Sequence, residues 1–459
     1  MNTRFLVYTI LAVASLASFN AAAADLKEVY ERAITSDPLI READANRLAA
    51  RESKPQAISA LLPQIEGSGE YSDFESDGTS VDINPPNPPT PFDRLSKGNS
   101  TTWDLRLRQN VFRWENWAAL RRADSERAQA EADYLVAQQD LILRTSAAYF
   151  NVLAAQDTLE AAQAAHDAIA RQLEQSEKRF EVGLIAVTDV QDAKAAFDSA
   201  TAALIQAKRN LATSGEILRE LTGDAYDELK KPGNDMPLAA PNPASADDWV
   251  KLAMEQNARL ISSRLAADIT RHNISAERGG HFPSIDFLAS KSWFESESSF
   301  TGTVTGQGDS DFEDTVYGVQ LTVPIFSGGA TSSRVRQAQY RNIAARERLE
   351  RTARETERLT RDSYLGVNSE VARVQSLRQA VESAQTALQA TEAGYEVGTR
   401  TSVDVLEARR RLFEAQTNYA RSRYDYLLNV LRLQFAAGTL DQTGLSDINA
   451  LLTENVRVR

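Results

Sequence analysis

From Thr145 to Phe180, small and apolar side chains recur at gaps of alternating three and four: Thr145, Ala148, Val152, Ala155, Leu159, Ala162, His166, Ile169, Leu173, Ser176 and Phe180. That rhythm is a coiled-coil seam. The stretch from Arg113 to Phe180 holds neither Pro nor Gly. It predicts one helix of about 66 residues, close to 100 Å long at about 1.5 Å per residue. A second seam follows mostly the same register through Val367, Val371, Val374, Leu377, Val381, Ala384, Leu388, Thr391 and Tyr395. A shorter return helix is expected after each. The first runs from Thr188 through Val190, Ala193, Phe197, Leu204 and Leu218 to the helix-stop residue Gly223, and the second from Val405 through Leu412, Tyr419 and Leu433 to Gly438. Further helical stretches run from Asp25 to about Leu61, broken near Pro38, and from Ala246 to Gly279.

Ahead of each long helix the period changes from 3.5 to two. Thr101 to Phe112 sets Trp103, Leu105, Leu107 and Val111 against Thr102, Asp104, Arg106 and Arg108; Val316 to Phe326 sets Tyr317, Val319, Leu321, Val323 and Ile325 against Gly318, Gln320 and Thr322. Partner strands are expected at Gln64 to Ser72 and Ser284 to Phe294. Each is about ten residues with one apolar and one polar face, the pattern of a strand crossing an outer membrane. Long polar loops are expected over Asp73 to Ser100 and Glu295 to Asp314.

The two halves are copies. FEVGLIAVTDV (Phe180 to Val190) returns as YEVGTRTSVDV (Tyr395 to Val405), and the same offset of 215 pairs Tyr149 with Tyr364 and Gly223 with Gly438. A constant offset over that span means one structural unit used twice. The expected organisation is a signal peptide over 1–24, a first repeat over 25–230, a linker over 231–245, a second repeat over 246–438 and a C-terminal segment over 439–459.

Four strands cannot close a barrel, and an open sheet edge cannot exist in lipid. If the strands span a membrane, several chains must share the barrel. Two chains give eight strands, which side chains fill; three give twelve and leave a lumen.

Composition narrows the setting. Arg4 is the single charge before Asp25, an apolar run covers Phe5 to Phe19, and Ala21-Ala22-Ala23 offers a cleavage site. That is a secretory signal. No other stretch has about 18 consecutive apolar residues, so no transmembrane helix is expected in the mature chain. Cysteine is absent, which removes disulfides and a cysteine-borne lipid anchor. Net charge is −13, a poor match to nucleic-acid binding.

These features resemble the TolC family of outer-membrane channel-tunnels. The marks are ALLPQIEGSGEY (Ala60 to Tyr71), RFEVGLIAVTDVQDA (Arg179 to Ala193), VPIFSGG (Val323 to Gly329) and GYEVGTRTSVDVLEARR (Gly394 to Arg410). The resemblance implies a mainly α chain with a membrane β-barrel: a homotrimer with twelve strands in outer-membrane lipid and a hollow α-helical barrel in the periplasm of a Gram-negative cell. It implies a passive exit duct for drugs, small molecules and type I secreted proteins. A periplasmic adaptor and an inner-membrane pump of RND, ABC or MFS type would be its partners.

The reversals between long and return helices then become the periplasmic tip. Asp404 and Glu407, three apart at a helix start, share a face, and three chains would set six carboxylates around the opening, a ring that favours cations. The family typically carries Asp at the second position. Thr401-x-x-Asp404 also reads as a helix cap, and Asp189 suits a helix N-terminus; the two roles do not exclude each other. The resemblance further implies a latch of Thr188, Asp189, Tyr395 and Arg400, with Gln172 and Glu392 forming another link. Arg400 can fork onto Asp189, and the Tyr395 hydroxyl can donate to the same carboxylate. Val182-Gly183-Leu184 and Val397-Gly398-Thr399 would meet the adaptor, or serve as turns alone.

Two other classes compete. An enzyme finds little support: of three histidines, His166 sits on the seam as a packing residue, His272 and His281 lack metal-ligand spacing, and no nucleophile-elbow, Walker or dinucleotide motif appears. No cofactor is expected. A non-channel coiled-coil structural or adhesion protein of the cell envelope would explain the heptads. It does not explain the paired strands that feed them.

Overall fold

A computed structural model of the chain describes residues 23–82, 90–233, 235–301 and 306–458. Its elements follow in the order α1 (Leu26–Ser36), α2 (Pro38–Arg51), α3 (Ser53–Ser59), β1 (Gln64–Asp82), β2 (Thr90–Phe112), α4 (Trp114–Glu181), α5 (Val187–Thr222), β3 (Glu228–Pro232), α6 (Ala246–Gln256), α7 (Ala258–Gly279), β4 (Ser284–Thr301), β5 (Gly306–Thr322), α8 (Ala330–Glu396), α9 (Ser402–Ala437), α10 (Gln442–Asn449) and β6 (Leu452–Arg457). Most of the expected signal peptide, residues 1–22, lies outside the described residues. Ala24 is bonded into the fold, its N–H donating to the Glu228 carbonyl at 3.0 Å and its carbonyl accepting from Lys230 N–H at 3.1 Å.

The long proline-free runs are continuous helices: α4 has 68 residues and α8 has 67. The return helices α5 and α9 have 36 each and end at Gly223 and Gly438, with φ of 78° and 79°. A side chain is strained at such angles, so glycine ends both. The break expected near Pro38 falls at Asp37; its counterpart, Asn257, divides α6 from α7.

The chain divides into two units. One comprises residues up to 42, 136–257 and 355–459. Its core includes Leu26, Tyr149, Phe150, Leu218, Leu229, Leu427, Leu431 and Leu445, each at most 2 % exposed. The Tyr149 hydroxyl donates to the Lys230 carbonyl at 2.6 Å and accepts from the Lys230 N–H at 3.0 Å; burial pushes its pKa well up. In the same unit β3 pairs antiparallel with β6, Glu228 opposite Arg457. The segment at the C-terminus therefore docks on the chain that follows the first repeat. Further along, Ala162 of α4 packs with Leu204 and Ala207 of α5, flanked by Leu159 and Phe413. His166 belongs to this packing, with its ring centroid 5.0 Å from that of Phe197.

The other unit, residues 43–135 and 258–354, carries a four-stranded antiparallel sheet in the order β1-β2-β4-β5. Odd-numbered residues give it an apolar, solvent-exposed face: Ile65, Tyr71, Trp103, Leu105, Tyr317, Val319 and Leu321 are all exposed. Trp103 stands opposite Trp293, and its ring lies over Gly69, where a Cβ would approach it to 2.6 Å. The opposite face is mostly polar. Ser292 donates to Asp104 at 2.6 Å, and the 3 %-exposed Asp286 accepts from Arg108 at 3.4 Å and Arg113 at 3.3 Å.

Two expectations about the sheet need correction. The strands are not about ten residues long but 19, 23, 18 and 17. The segments expected as long loops mostly continue the ladders, with Ser72 opposite Ser100 through to Asp82 opposite Thr90, and Glu295 opposite Asp311 through to Phe300 opposite Gly306. Ladder bonds use the backbone alone, so polar side chains that end an apolar pattern need not end a strand. Conversely β5 stops at Thr322 rather than running to Phe326. Pro324 offers no amide to a ladder, and Gly328 and Gly329 take φ of 61° and 82° before α8 begins.

Candidate gate at the two helix reversals

Each long helix ends the same way. At the end of α4, Leu184 N–H donates to the Arg179 carbonyl and Gly183 N–H to the Phe180 carbonyl, both at 2.8 Å. At the end of α8, Thr399 N–H donates to the Gly394 carbonyl at 2.9 Å and Gly398 N–H to the Tyr395 carbonyl at 3.2 Å. This paired closure needs a left-handed residue at the turn, and Gly183 and Gly398 supply it with φ of 76° and 79°. A Cβ at either glycine would meet open space. Around them Val182, Leu184 and Val397 are 69, 73 and 76 % exposed. Two short turns thus present apolar side chains to solvent.

The return helices begin differently. Thr401 caps α9: its hydroxyl accepts from Asp404 N–H at 3.2 Å, while the Asp404 carboxylate accepts from Thr401 N–H at 2.9 Å. The Thr401 N–H and then its hydroxyl hold the Asp404 carboxyl below its ordinary range. One turn on, Glu407 accepts from Arg410 at 2.7 and 2.9 Å and from Arg411 at 3.1 Å. Arg410 first, then Arg411, draw its pKa down to about 2. So both candidate gate carboxylates are ionised at neutral pH, and both are held by their own helix. The arginines were readable in the run Glu407-Ala408-Arg409-Arg410-Arg411, whose three- and four-residue spacings set Arg410 and Arg411 beside Glu407.

The candidate latch is not closed within one chain. Thr188, Asp189 and Arg400 make no side-chain hydrogen bond or ion pair among the described residues. The Arg400 stem instead folds toward Gly394, where a Cβ would come within 2.7 Å of it. Tyr395 stacks under Arg179, 4.8 Å from guanidinium carbon to ring centroid, and its hydroxyl is buried without a partner. Glu392 pairs with Arg409 at 2.7 Å rather than with Gln172. Gln172 is 4 % exposed, and its Nε2 has no partner. The Tyr395 hydroxyl and Gln172 Nε2 are thus buried donors without a hydrogen-bond partner among the described residues. Arg179, Arg409, Arg410 and Arg411 are the neighbours that repeat spacing alone did not single out.

A family of outer membrane efflux proteins matches residues 29–224 and 249–439, covering both repeats. The chain belongs to that family. It is 38 % identical over 439 residues to the outer membrane protein TolC of Vibrio cholerae, covering 95 % of this chain and 96 % of that one. The alkaline protease secretion protein AprF of Pseudomonas aeruginosa is 29 % identical over 94 % of this chain and 88 % of its own. Among solved structures, the CmeC outer membrane channel of Campylobacter jejuni superposes with a TM-score of 0.72 at 18 % identity, over 93 % of this chain and 90 % of that one. This efflux family chain is accordingly an outer-membrane protein that extends into the periplasm. Among the described residues no helix is long and apolar enough to cross a membrane, and no cluster of metal-ligating side chains occurs.

Proposed function

We propose that the chain is one protomer of a passive trimeric exit duct in the outer membrane, carrying drugs, other small molecules and type I secreted proteins out of the cell. The exposed apolar face of the sheet carries this reading. Beta strands cannot keep unpaired edges in lipid, and among the described residues β1 and β5 each have one strand neighbour only. Three copies close those edges into twelve strands with a lumen. The long helices continue the duct into the periplasm as a coiled-coil barrel, with the β3–β6 sheet as part of a belt around it. The secretion protein among the relatives supports protein export, and the efflux family supports small-molecule export. A passive duct takes its specificity from the RND, ABC or MFS pump that recruits it.

Asp404 and Glu407 form the gate ring, narrowed in charge by Arg410 and Arg411. Thr188, Asp189 and Arg400, whose side chains make no hydrogen bond or ion pair among the described residues, link neighbouring protomers together with the Tyr395 hydroxyl, as do Gln172 and Glu392. Partly exposed ties of this kind are worth about 1 kcal/mol or less each, which suits a latch that must yield. Val182, Gly183, Leu184, Val397, Gly398 and Thr399 meet the adaptor. Single-channel recording in a planar bilayer, with a trivalent cation on the tip side, tests the reading. Small cation-selective steps are expected, blocked by that cation, with block relieved in Asp404→Asn plus Glu407→Gln. Large unblocked steps would remove the gate and keep the duct. Absence of steps from folded protein would remove both.

A further inference from the structure

A groove away from the tip has no role in the duct as described. It lies in the unit that carries the sheet, floored by α4 and walled by α3 on one side and α7 on the other, with a volume of about 940 Å³. Drug-sized ligands occupy cavities of about 300–1,000 Å³. Its floor and walls are apolar, with Ile58 and Leu135 still 39 and 41 % exposed and Ile261 beside them. Its rim is charged, and unevenly so. Arg51, Lys54 and Arg127 line it against one carboxylate, Glu131.

That carboxylate is already committed, to Arg51 at 2.7 Å and to Arg47 at 3.4 Å. Lys54 is held by Asp124 at 2.8 Å, outside the groove. Arg127 makes no hydrogen bond or ion pair among the described residues. In a chain of net charge −13, an apolar trough edged by surplus guanidinium is a local reversal of sign. The groove is also central rather than marginal. α4 is tied to α2 and α3 by the ion pairs above, and to α7 by Ser262, which donates to Asp133 at 2.6 Å, and by Arg122, which donates to Asn273 at 3.3 Å.

We infer that this groove binds an amphipathic anion, with its apolar body along Ile58, Leu135 and Ile261 and its carboxylate or sulfate head on Arg127. Arg127 supplies the charge-assisted hydrogen bonds, and the trough supplies burial at about 25 cal/mol per Å² of apolar surface. Charge complementarity selects this occupant. A cationic amphiphile would bury the same surface and meet repulsion at the rim.

Because the natural chain has no cysteine, a single cysteine reports on the groove alone. The full chain carrying Leu135→Cys, in lipid nanodiscs, is alkylated with a maleimide in the presence of decanoate or of decyltrimethylammonium, each below its micelle concentration. Decanoate is expected to slow labelling about five-fold when present at four times its dissociation constant. The cation is expected to protect far less. Adding Arg127→Glu should abolish decanoate protection. Leu184→Cys, at the exposed reversal, should respond to neither probe, and Ile58→Cys replaces Leu135→Cys should the latter fail to fold. Equal protection by both amphiphiles, protection by neither, or decanoate protection that survives Arg127→Glu would overturn the inference. The readout needs no ion flow, so its failure leaves the duct standing, and failed bilayer recordings leave it intact.

Discussion

The two copies of the repeat follow the same path and hold it by different means. Gly183 and Gly398 turn the chain with φ within a few degrees of each other, and so do Gly223 and Gly438. What surrounds them has diverged. The second return helix starts on a complete capping box at Thr401, whereas the first starts on Ala186 with no side-chain cap. Gly438 lies against the Gln256–Asn257 backbone, where an added Cβ would come within 2.5 Å of backbone atoms, while a Cβ at Gly223 would meet a Ser36 side-chain atom at 3.6 Å. Backbone geometry that one residue type alone can satisfy is shared by both copies. Side-chain devices that several residues can replace are found in one. The consequence is a firmly started α9 beside a less firmly started α5.

The largest test of that contrast is at the helix ends. Gly438→Ala must displace backbone as well as adopt a left-handed angle, and is expected to lower stability by about 3 kcal/mol or more, whereas Gly223→Ala should cost about 1 kcal/mol, the left-handed penalty alone. Chemical denaturation of both variants measures this, and equal losses would break the comparison. Next comes the cap. Thr401→Ala should cost about 1 kcal/mol, and Ala186→Thr should return up to the same amount to α5 by completing a box with Asp189. Amide exchange in the first turn of each helix is the readout: faster exchange confined to α9 in the first variant, slower exchange confined to α5 in the second. No change in either turn would sink the explanation.

The smallest effect is one of pH. The folded pKa of Glu407 is depressed to about 2, below its ordinary value of about 4.3. Its contribution is therefore present above about pH 4.3 and is lost as pH falls toward 2. Amide exchange at the start of α9 should be steady from neutral pH down to about 4.5, allowing for the intrinsic rate, and then rise. In Arg410→Gln plus Arg411→Gln that rise should shrink to the part carried by the Asp404 carboxyl in the Thr401 cap, because Glu407 then titrates alike in both states. An identical profile in the two proteins would refute the pairing. The first reversal, with no counterpart to Glu407's clamp, serves as the internal control.

Legibility followed the range of the forces involved. Seam residues from Thr145 to Phe180 and the glycine stops are local signals, and they located α4, α5, α8 and α9 within a few residues. The parts of β1, β2, β4 and β5 nearest their hairpin connections are not legible in the sequence, because their side chains lose the apolar alternation while the backbone ladder runs on. At the tip, the Thr401–Asp404 cap was legible as a pattern. The clamp on Glu407 is written in the three- and four-residue spacing of Arg410 and Arg411, and the single-chain tie between Asp189 and Arg400 does not form.

By itself the sequence determined that this chain is a duplicated unit of long helices and paired strands, turned by glycines at equivalent places, because periodicity and left-handed backbone are properties of neighbouring residues. Tertiary structure alone decided that Glu392 takes Arg409 instead of Gln172, that Tyr395 keeps an unspent hydroxyl, and that Ile58, Leu135, Ile261 and Arg127 share one trough. Those pairings depend on which helix faces are brought within a few ångströms of each other, and no local pattern carries that distance.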